Sequence, residues 1–223
     1  MNKIGTLSII AAISMLSGCA VQNSIPVEYH NQAIEGVTVS NFDPVGVTQW
    51  NDQRSIASIK DDYSEKAVMR TGPATIGITH NGSEFVRVAD FVRDNFIKEL
   101  QSLGVNVKPI DIIPSSNSTS LLKGLAQNNE VNVIISGDLI NFDFNCHGAM
   151  TLDCSRKVSI SMSMVDQLGN ELITRELFDS TMANNEGMGV LHKTVLDQMT
   201  NQVMREALKK AVIKTVQELN KKS

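Results

Sequence analysis

The chain has 223 residues, of which 42% are hydrophobic and 20% charged, a balance that supplies one good core and argues against disorder throughout. Aromatic residues are only 4%, with one Trp and two Tyr, so a stacking platform for sugars or single-stranded nucleic acid has little to be built from. The formal charge of -4 excludes a net positive field that would draw phosphate in, and nucleic acid is not an expected partner.

Residues 1–18 read MNKIGTLSIIAAISMLSG: one positive charge at Lys3, an apolar stretch from Ile4 to Leu16, and small residues at the end. That is the layout of a secretory signal, and the apolar stretch is shorter than the roughly 18 to 20 residues a membrane-spanning helix needs. The signal closes on Leu16, Ser17, Gly18 and Cys19, which resembles the lipobox of bacterial lipoproteins. The resemblance implies cleavage between Gly18 and Cys19 and a thioether-linked diacylglycerol on the Cys19 sulfur, usually with a third acyl chain on the new amino terminus. Each buried methylene adds about 0.8 kcal/mol of membrane affinity, and two chains anchor stably. In lipoproteins of enteric type, Asp after the cysteine retains the protein at the inner membrane. Ala20 stands there instead, which implies the outer membrane, with the domain on its periplasmic side.

Residues 19–35 follow as a lipidated amino terminus and flexible tether, since AVQNSIPVEYHNQAIE has neither helical nor strand periodicity and contains Pro26. Residues 36–223 are expected to form a single periplasmic domain. Its first predicted strand is Val37 to Phe42, by alternation. Between residues 43 and 84, Pro44, Pro73 and several glycines break the pattern, leaving short strand candidates at Ser55 to Ile59 and Ala74 to Thr79 and otherwise long loops. From Val88 the period becomes helical, with Val88, Phe91, Val92, Phe96, Leu100 and Leu103 on one stripe and Gly104 as the stop. Val105 to Ile113 should run extended, and the polar loop from Ser115 to Ser120 can cap a short helix through Ala126.

Three strands of good alternation come next. Ile140, Phe142 and Phe144 oppose Asn141, Asp143 and Asn145; then Val158, Ile160, Met162 and Met164 oppose Ser159, Ser161 and Ser163, predicting one buried face and one wet face. Gln167 to Asn170 supplies a tight turn into a third strand from Glu171 to Thr181, which makes an antiparallel meander. Residues 191–219 form a long amphipathic helix through Met199, Val203, Ala207, Ala211 and Thr215, flanked by Leu208, Val212, Val216 and Leu219. Its last turns carry Lys214, Lys221 and Lys222; such a basic end can touch lipid headgroups, though a solvated end that suits the helix dipole is the simpler reading. The sum is an α+β fold: a two-layer sandwich of a mainly antiparallel sheet with two main helices packed on one face.

Few constellations carry chemistry. Cys146 and Cys154 are the thiols left beside Cys19, at the two ends of a predicted strand link; an oxidising periplasm permits a disulfide there, and two buried free thiols are the alternative. His147 beside Cys146 does not make a zinc site, because His30, His80 and His192 lie in unrelated segments and a structural zinc wants four ligands in spaced pairs. Ser120 and Lys123 form S-x-x-K without the companion motifs of the penicillin-binding enzymes. The acid pairs Asp61 with Asp62 and Asp138 with Asp143 read as solvated carboxylates. No catalytic residue, metal ligand or cofactor is assigned. Met162, Met164, Met182, Met188, Met199 and Met204 read as core first and as a pliable acyl-binding face second.

Gly36-Val37-Thr38-Val39-Ser40 as a first strand, Asp52-Gln53-Arg54, a helix ending at Gly104, and Val131-Asn132-Val133 opening the meander together resemble the YajG family of outer-membrane lipoproteins. Lys60 to Ala74 and the Cys146 to Cys154 link look like additions to it. The resemblance implies location and fold more than activity, and the only functional residue it carries over is Cys19. The expected function is that of a lipid-anchored, non-catalytic accessory lipoprotein that binds another component of the cell envelope, most simply a protein. The alternative is a lipid or amphiphile carrier, or an auxiliary to a transporter, using the Met-rich face.

Overall fold

A computed structural model of the chain describes residues 23–26, 29–40, 43–54, 64–69, 72–80, 84–147, 152–186 and 193–222. In chain order the elements are β1 (Asn23–Pro26), β2 (Val45–Thr48), β3 (Asn51–Asp52), β4 (Ser64–Met69), β5 (Gly72–His80), β6 (Glu84–Phe85) and α1 (Val88–Ser102). Then follow β7 (Val107–Ile110), α2 (Thr119–Asn128), β8 (Val133–His147), β9 (Leu152–Asp166), β10 (Glu171–Glu186) and α3 (Lys193–Asn220).

The meander β8, β9 and β10 is the antiparallel half of a single mixed sheet. Strand β8 is long enough to serve several neighbours on its other edge: its first residues pair in parallel with β2, its middle with β3, and its end with β4. Beyond them, β7 lies parallel to β2, β5 antiparallel to β4, and β1 parallel to β5. Each parallel contact needs a crossover, and α1 and α2 supply the helical ones flanking β7.

Helices α1 and α3 pack together on one face. The predicted stripe of α1 is fully inside at Val88, Val92, Phe96 and Leu100, and it meets Val203, Leu208 and Val212 of α3 in one cluster with Val158, Ile160, Met162 and Met164 from the sheet. Helix α1 ends where the sequence places its stop. Gly104 takes φ +89°, and its N–H donates to the Gln101 carbonyl while that of Val105 donates to the Leu100 carbonyl, closing the last turn in a conformation a side chain would strain. Gly137 has a different task. Trp50 lies so close that a Cβ there would meet its indole at 2.5 Å, so only glycine lets β8 pass under the ring.

Three expectations need correction. First, Val37 to Ser40 form no strand. They run irregularly along α3, where Asn220 Oδ1 accepts from the Ser40 N–H and Asn220 Nδ2 donates to the Thr38 carbonyl; local alternation lost to the hydrogen bonds a helix end could offer. Second, much of the expected tether is part of the fold. Residues 23–26 pair with β5, and from Tyr29 the chain lies on α1 and α3, with Ile34 buried and Val37 and Val39 packed on the core. This strap explains why α3 is buried along two stripes at once, Met199 to Thr215 and Leu208 to Leu219. Third, the serine face of β9 is not wet: Ser159, Ser161 and Ser163 are 1%, 5% and 5% exposed. Helix α2 covers part of this second face, setting Leu122 and Ala126 on Ile134 and Val165 together with Ile110 and Val131. A run of serines reads as a solvated face because it cannot build an apolar core, yet small hydroxyls also fit under a covering loop. Of the segment expected to run extended, Val107–Ile110 is a strand, and the candidate at Ala74 to Thr79 falls within β5, while Ser55 to Ile59 lie outside the described residues. The α+β class stands, with α1 and α3 on one face of a sheet that is antiparallel through its longest ladders; the short α2 adds a partial layer on the other.

Candidate functional site

The second face holds the strongest local irregularity. In the ladder, Glu171 pairs with Val165, Ile173 with Met164 and Glu176 with Met162, so β10 spends two residues more than β9 over the same span. At the second bulge Thr174 and Arg175 together oppose Ser163. Arg175 takes φ +42° to do so, a left-handed conformation that costs a non-glycine residue about 1–3 kcal/mol and persists only where the surroundings enforce it. Bulges of this kind re-aim side chains at sites.

Here the bulge turns Arg175 across the sheet toward the start of α2. The two elements enclose a cavity of about 260 Å³ lined by Asn117, Thr119, Ser163, Glu171, Ile173 and Arg175, among others. Beneath it lies a buried carboxylate, Asp138, only 1% exposed. Its Oδ2 accepts from Asn117 Nδ2 at 3.0 Å and sits 3.8 Å from Arg175 Nη2, and its Oδ1 accepts from Asn51 Nδ2 at 3.3 Å. Ser136 Oγ donates to Asn117 Oδ1 at 2.7 Å, fixing the amide so that its nitrogen faces Asp138. A charge can remain inside only when surrounded by such donors.

At the mouth stands the exposed Glu171. One of its oxygens accepts from the Thr119 hydroxyl and the other from the Thr174 hydroxyl at 2.9 Å; these bonds hold its carboxyl below the usual glutamate range, so it is ionised at neutral pH. An ionised carboxylate of lowered pKa is a poor proton acceptor and a good partner for a cation. Helix α2 begins at Ser118, whose side chain makes no capping bond to the helix, so its first N–H groups keep their partial positive charge. Ser163, 5% exposed, lines the same space. The pocket sets Arg175 and Asn117 against the Asp138 carboxylate at its back and a second carboxylate, Glu171, at its front. That is equipment for binding.

A second polar cluster joins the strap to the helices on the opposite face. Tyr29 Oη donates to Glu99 Oε1 at 2.6 Å, His30 N donates to Asn201 Oδ1, and Arg205 Nη2 donates to the His30 carbonyl. Burial pushes the Glu99 carboxyl up, against the pull of Tyr29 and Arg205, and burial together with Glu99 pushes the Tyr29 hydroxyl above its ordinary value. These contacts hold the strap in place.

Of the residues singled out in the sequence, Gly18, Cys19, Asp61, Asp62 and Met188 lie outside the described residues. The ladder sets Cys146 directly opposite Cys154, whose side chain is buried. Asp138 and Asp143 part company: Asp138 is enclosed, whereas Asp143 pairs in register with Lys157. Met162, Met164, Met199 and Met204 are core, which leaves the sheet no methionine-lined groove at those positions. The basic end of α3 is engaged within the protein, Lys214 and Lys221 with Glu218 and Lys222 with Asp166 at 2.5 Å. Sequence reasoning passed over Asn117, Ser163, Glu171 and Arg175. Their one readable sign is the E-x-x-x-R spacing of Glu171 and Arg175, and only the bulge brings the two to one pocket.

No family model matches the sequence, and no curated protein matches it. Among solved structures, a Xanthomonas campestris protein of the family DUF330 superposes with a TM-score of 0.56 over 90% of this chain and 98% of its own, at 8% identity. A lipoprotein from Neisseria meningitidis aligns with 71% of this chain and 99% of its own (TM-score 0.39, 13% identity), and a minor lipoprotein from Acinetobacter baumannii with 79% and 94% (TM-score 0.37, 10% identity). Of the three, the Xanthomonas protein shares the fold, and at that identity the likeness concerns fold alone. No described helix is long and apolar enough to cross a membrane.

Proposed function

We propose that the protein is a lipid-anchored, non-catalytic accessory lipoprotein on the periplasmic face of the outer membrane, where it binds another component of the cell envelope. The observation that carries this reading is the string Leu16-Ser17-Gly18-Cys19 at the end of an apolar signal segment, with Ala20 after it. The second-face pocket supports it, because its groups are suited to recognition rather than proton transfer. A YajG-type assignment draws on the helix ending at Gly104 and on Val131 to Val133 leading into β8, while the Gly36 to Ser40 string lacks the strand it was matched to. Carriage of an acyl chain finds less support, since the sheet methionines that would line a groove are buried among α1 and α3.

Exchange of Cys19→Ala tests the anchor. The variant should leave the outer-membrane fraction, either soluble in the periplasm or uncleaved at the inner membrane; unchanged fractionation would remove the lipoprotein reading. Crosslinking in intact cells, with mass spectrometry of what copurifies, tests the accessory role, and one dominant envelope component is expected.

A Cys146–Cys154 disulfide belongs to the same proposal. Directly opposed residues of an antiparallel pair have Cα atoms about 4.5–5.5 Å apart, inside the range a disulfide needs, and the register opposes these two. The short loop it closes gives an expected gain of about 2–3 kcal/mol. Cys146→Ser should lower the melting temperature and abolish the mobility difference between reduced and oxidised protein, without altering anchoring.

A further inference from the structure

We propose that the domain is seated on the lipid surface by one corner of its sheet, where β1, β5 and β4 meet, so that the β9–β10 turn and α2 point away from the membrane. This rests on the lipid anchor proposed above and adds the surface through which the anchored domain meets the bilayer. Three features support it: the length of the connection, its direction, and the charge of the strands it reaches.

Only Ala20, Val21 and Gln22 separate the lipid-bearing Cys19 from Asn23, the first residue of β1. A fully extended chain gains at most about 3.6 Å per residue, so Cys19 is no further than about 14 Å from Asn23. Asn23 is itself fixed, because β1 pairs in register with β5, Asn23 opposite Ile76 and Pro26 opposite Thr79. The two strands are parallel, so tracing β1 back from Asn23 leads toward Gly72, where β5 begins and lies opposite Met69, the last residue of β4. From the level of Ile76 to that of Gly72 is about 13 Å along a strand, nearly the whole reach of the connection. A bilayer that holds the acyl chains of Cys19 therefore lies against this corner of the sheet.

The composition of the corner fits that contact. Neither β1, which reads NSIP, nor β5, which reads GPATIGITH, contains Asp, Glu, Lys or Arg. The chain as a whole has a formal charge of -4, so an anionic lipid surface repels it, and these strands approach such a surface with the least repulsion. A strand edge that faces water is usually guarded by charge, as β10 is by Glu171, Arg175, Glu176 and Asp179. The opposite end of the molecule is far from the anchor. Strand β8 meets β4 at Phe144 and Asn145 and begins at Val133, opposite Asp166, roughly 40 Å away at about 3.3 Å per residue. There the β9–β10 turn presents Leu168, 72% exposed, and α2 packs on Ile134 and Val165. That end is left for whatever the anchored domain binds.

The test uses the mature lipidated protein, its Cys19 adduct verified by mass, in nanodiscs of phosphatidylethanolamine and phosphatidylglycerol doped with a gadolinium-chelating lipid. Amide NMR signals close to the headgroups are lost by paramagnetic relaxation. Loss is expected at residues 23–26 and 72–76, with the signals of Gln167 to Asn170 and of α2 retained. A flexible glycine–serine segment of about ten residues, inserted between Gln22 and Asn23, lets the domain leave the surface; it should restore the lost signals and keep the protein in the membrane fraction. Loss spread evenly over the domain, loss strongest at Gln167 to Asn170, or loss that persists after the insertion would overturn the proposal. Protein without lipid on Cys19 would remove the anchored reading and this one together, whereas anchored protein with the wrong pattern of loss removes the corner contact alone.

Discussion

The two faces of the sheet obey different rules. On the first, α1, α3 and the strap bury a continuous apolar cluster from Ile34 to Leu219. On the second, a small apolar patch under α2 adjoins a chain of polar groups, Ser136, Asn117, Asp138, Asn51 and Arg175, around a cavity. The first face is stabilised by area removed from water, the second by hydrogen bonds that must all be made together. Burial tolerates repacking, whereas a half-satisfied buried network costs more than an apolar one. Stability should therefore reside on the helical face and specificity on the other.

The largest expected effect comes from the helical face. Leu208 of α3 is fully buried in the main cluster, so Leu208→Ala should cost about 2–5 kcal/mol, the transfer term plus the cavity left behind. Chemical denaturation with an unchanged m-value would show that the loss is packing. Leu208→Met should recover most of it, since the site asks for volume more than shape.

On the second face Asp138→Ala should cost less, about 1–3 kcal/mol, by leaving the donors of Asn51 and Asn117 without their acceptor. Asp138→Asn should cost less than Asp138→Ala, because one amide oxygen still accepts. The distinguishing outcome is local: alanine at 138 should alter the amide shifts of Asn117 and Arg175 well before it lowers the melting temperature by as much as Leu208→Ala. Equal global losses would mean that the two faces form one cooperative core, and that the contrast drawn between them is wrong.

Much of the helical face is legible in the sequence, because it is built by periodicity. The stripe from Val88 to Leu100, the stop at Gly104, the stripe of α3 and the alternation in β9 all report a face meeting other apolar faces. The second face is not legible, for a physical reason. A polar residue on a strand looks the same whether water or a loop covers it, so Ser159, Ser161 and Ser163 read as wet although residues from elsewhere enclose them. The bulge at Thr174 and Arg175 has no glycine to announce it, and Arg175 accepts the strain through tertiary context. The strap failed to show for a similar reason. Its anchors are Asn201, Arg205 and Asn220, on a helix more than 160 residues further along the chain, and nothing local to Tyr29 or Ser40 encodes them.

The smallest effects are expected from two carboxylates on the helical side that answer pH in opposite senses. Asp166 ends β9 with its side chain fully enclosed. Burial alone would raise its pKa, but bonds from Lys222 and Asn170 outweigh that and hold the carboxyl well below the usual range. Its contribution to stability is present above the ordinary aspartate pKa and is lost as pH falls through that range toward the folded value. Glu99, beneath the strap, is displaced the other way by burial. Its protonated form is the one the fold prefers, so its contribution is complete below the ordinary glutamate pKa and is lost as pH rises through the folded value. Melting curves from about pH 3 to about pH 8 should therefore separate the variants. Asp166→Asn should lose most relative to the parent near neutrality and converge with it in acid. Glu99→Gln, which keeps an acceptor for the Tyr29 hydroxyl and cannot ionise, should gain on the parent as pH rises. Parallel curves for Glu99→Gln and the parent would show that Glu99 is hydrated beneath the strap, and that residues 29–40 lie on the helices more loosely than the hydrogen bonds at Tyr29 and His30 imply.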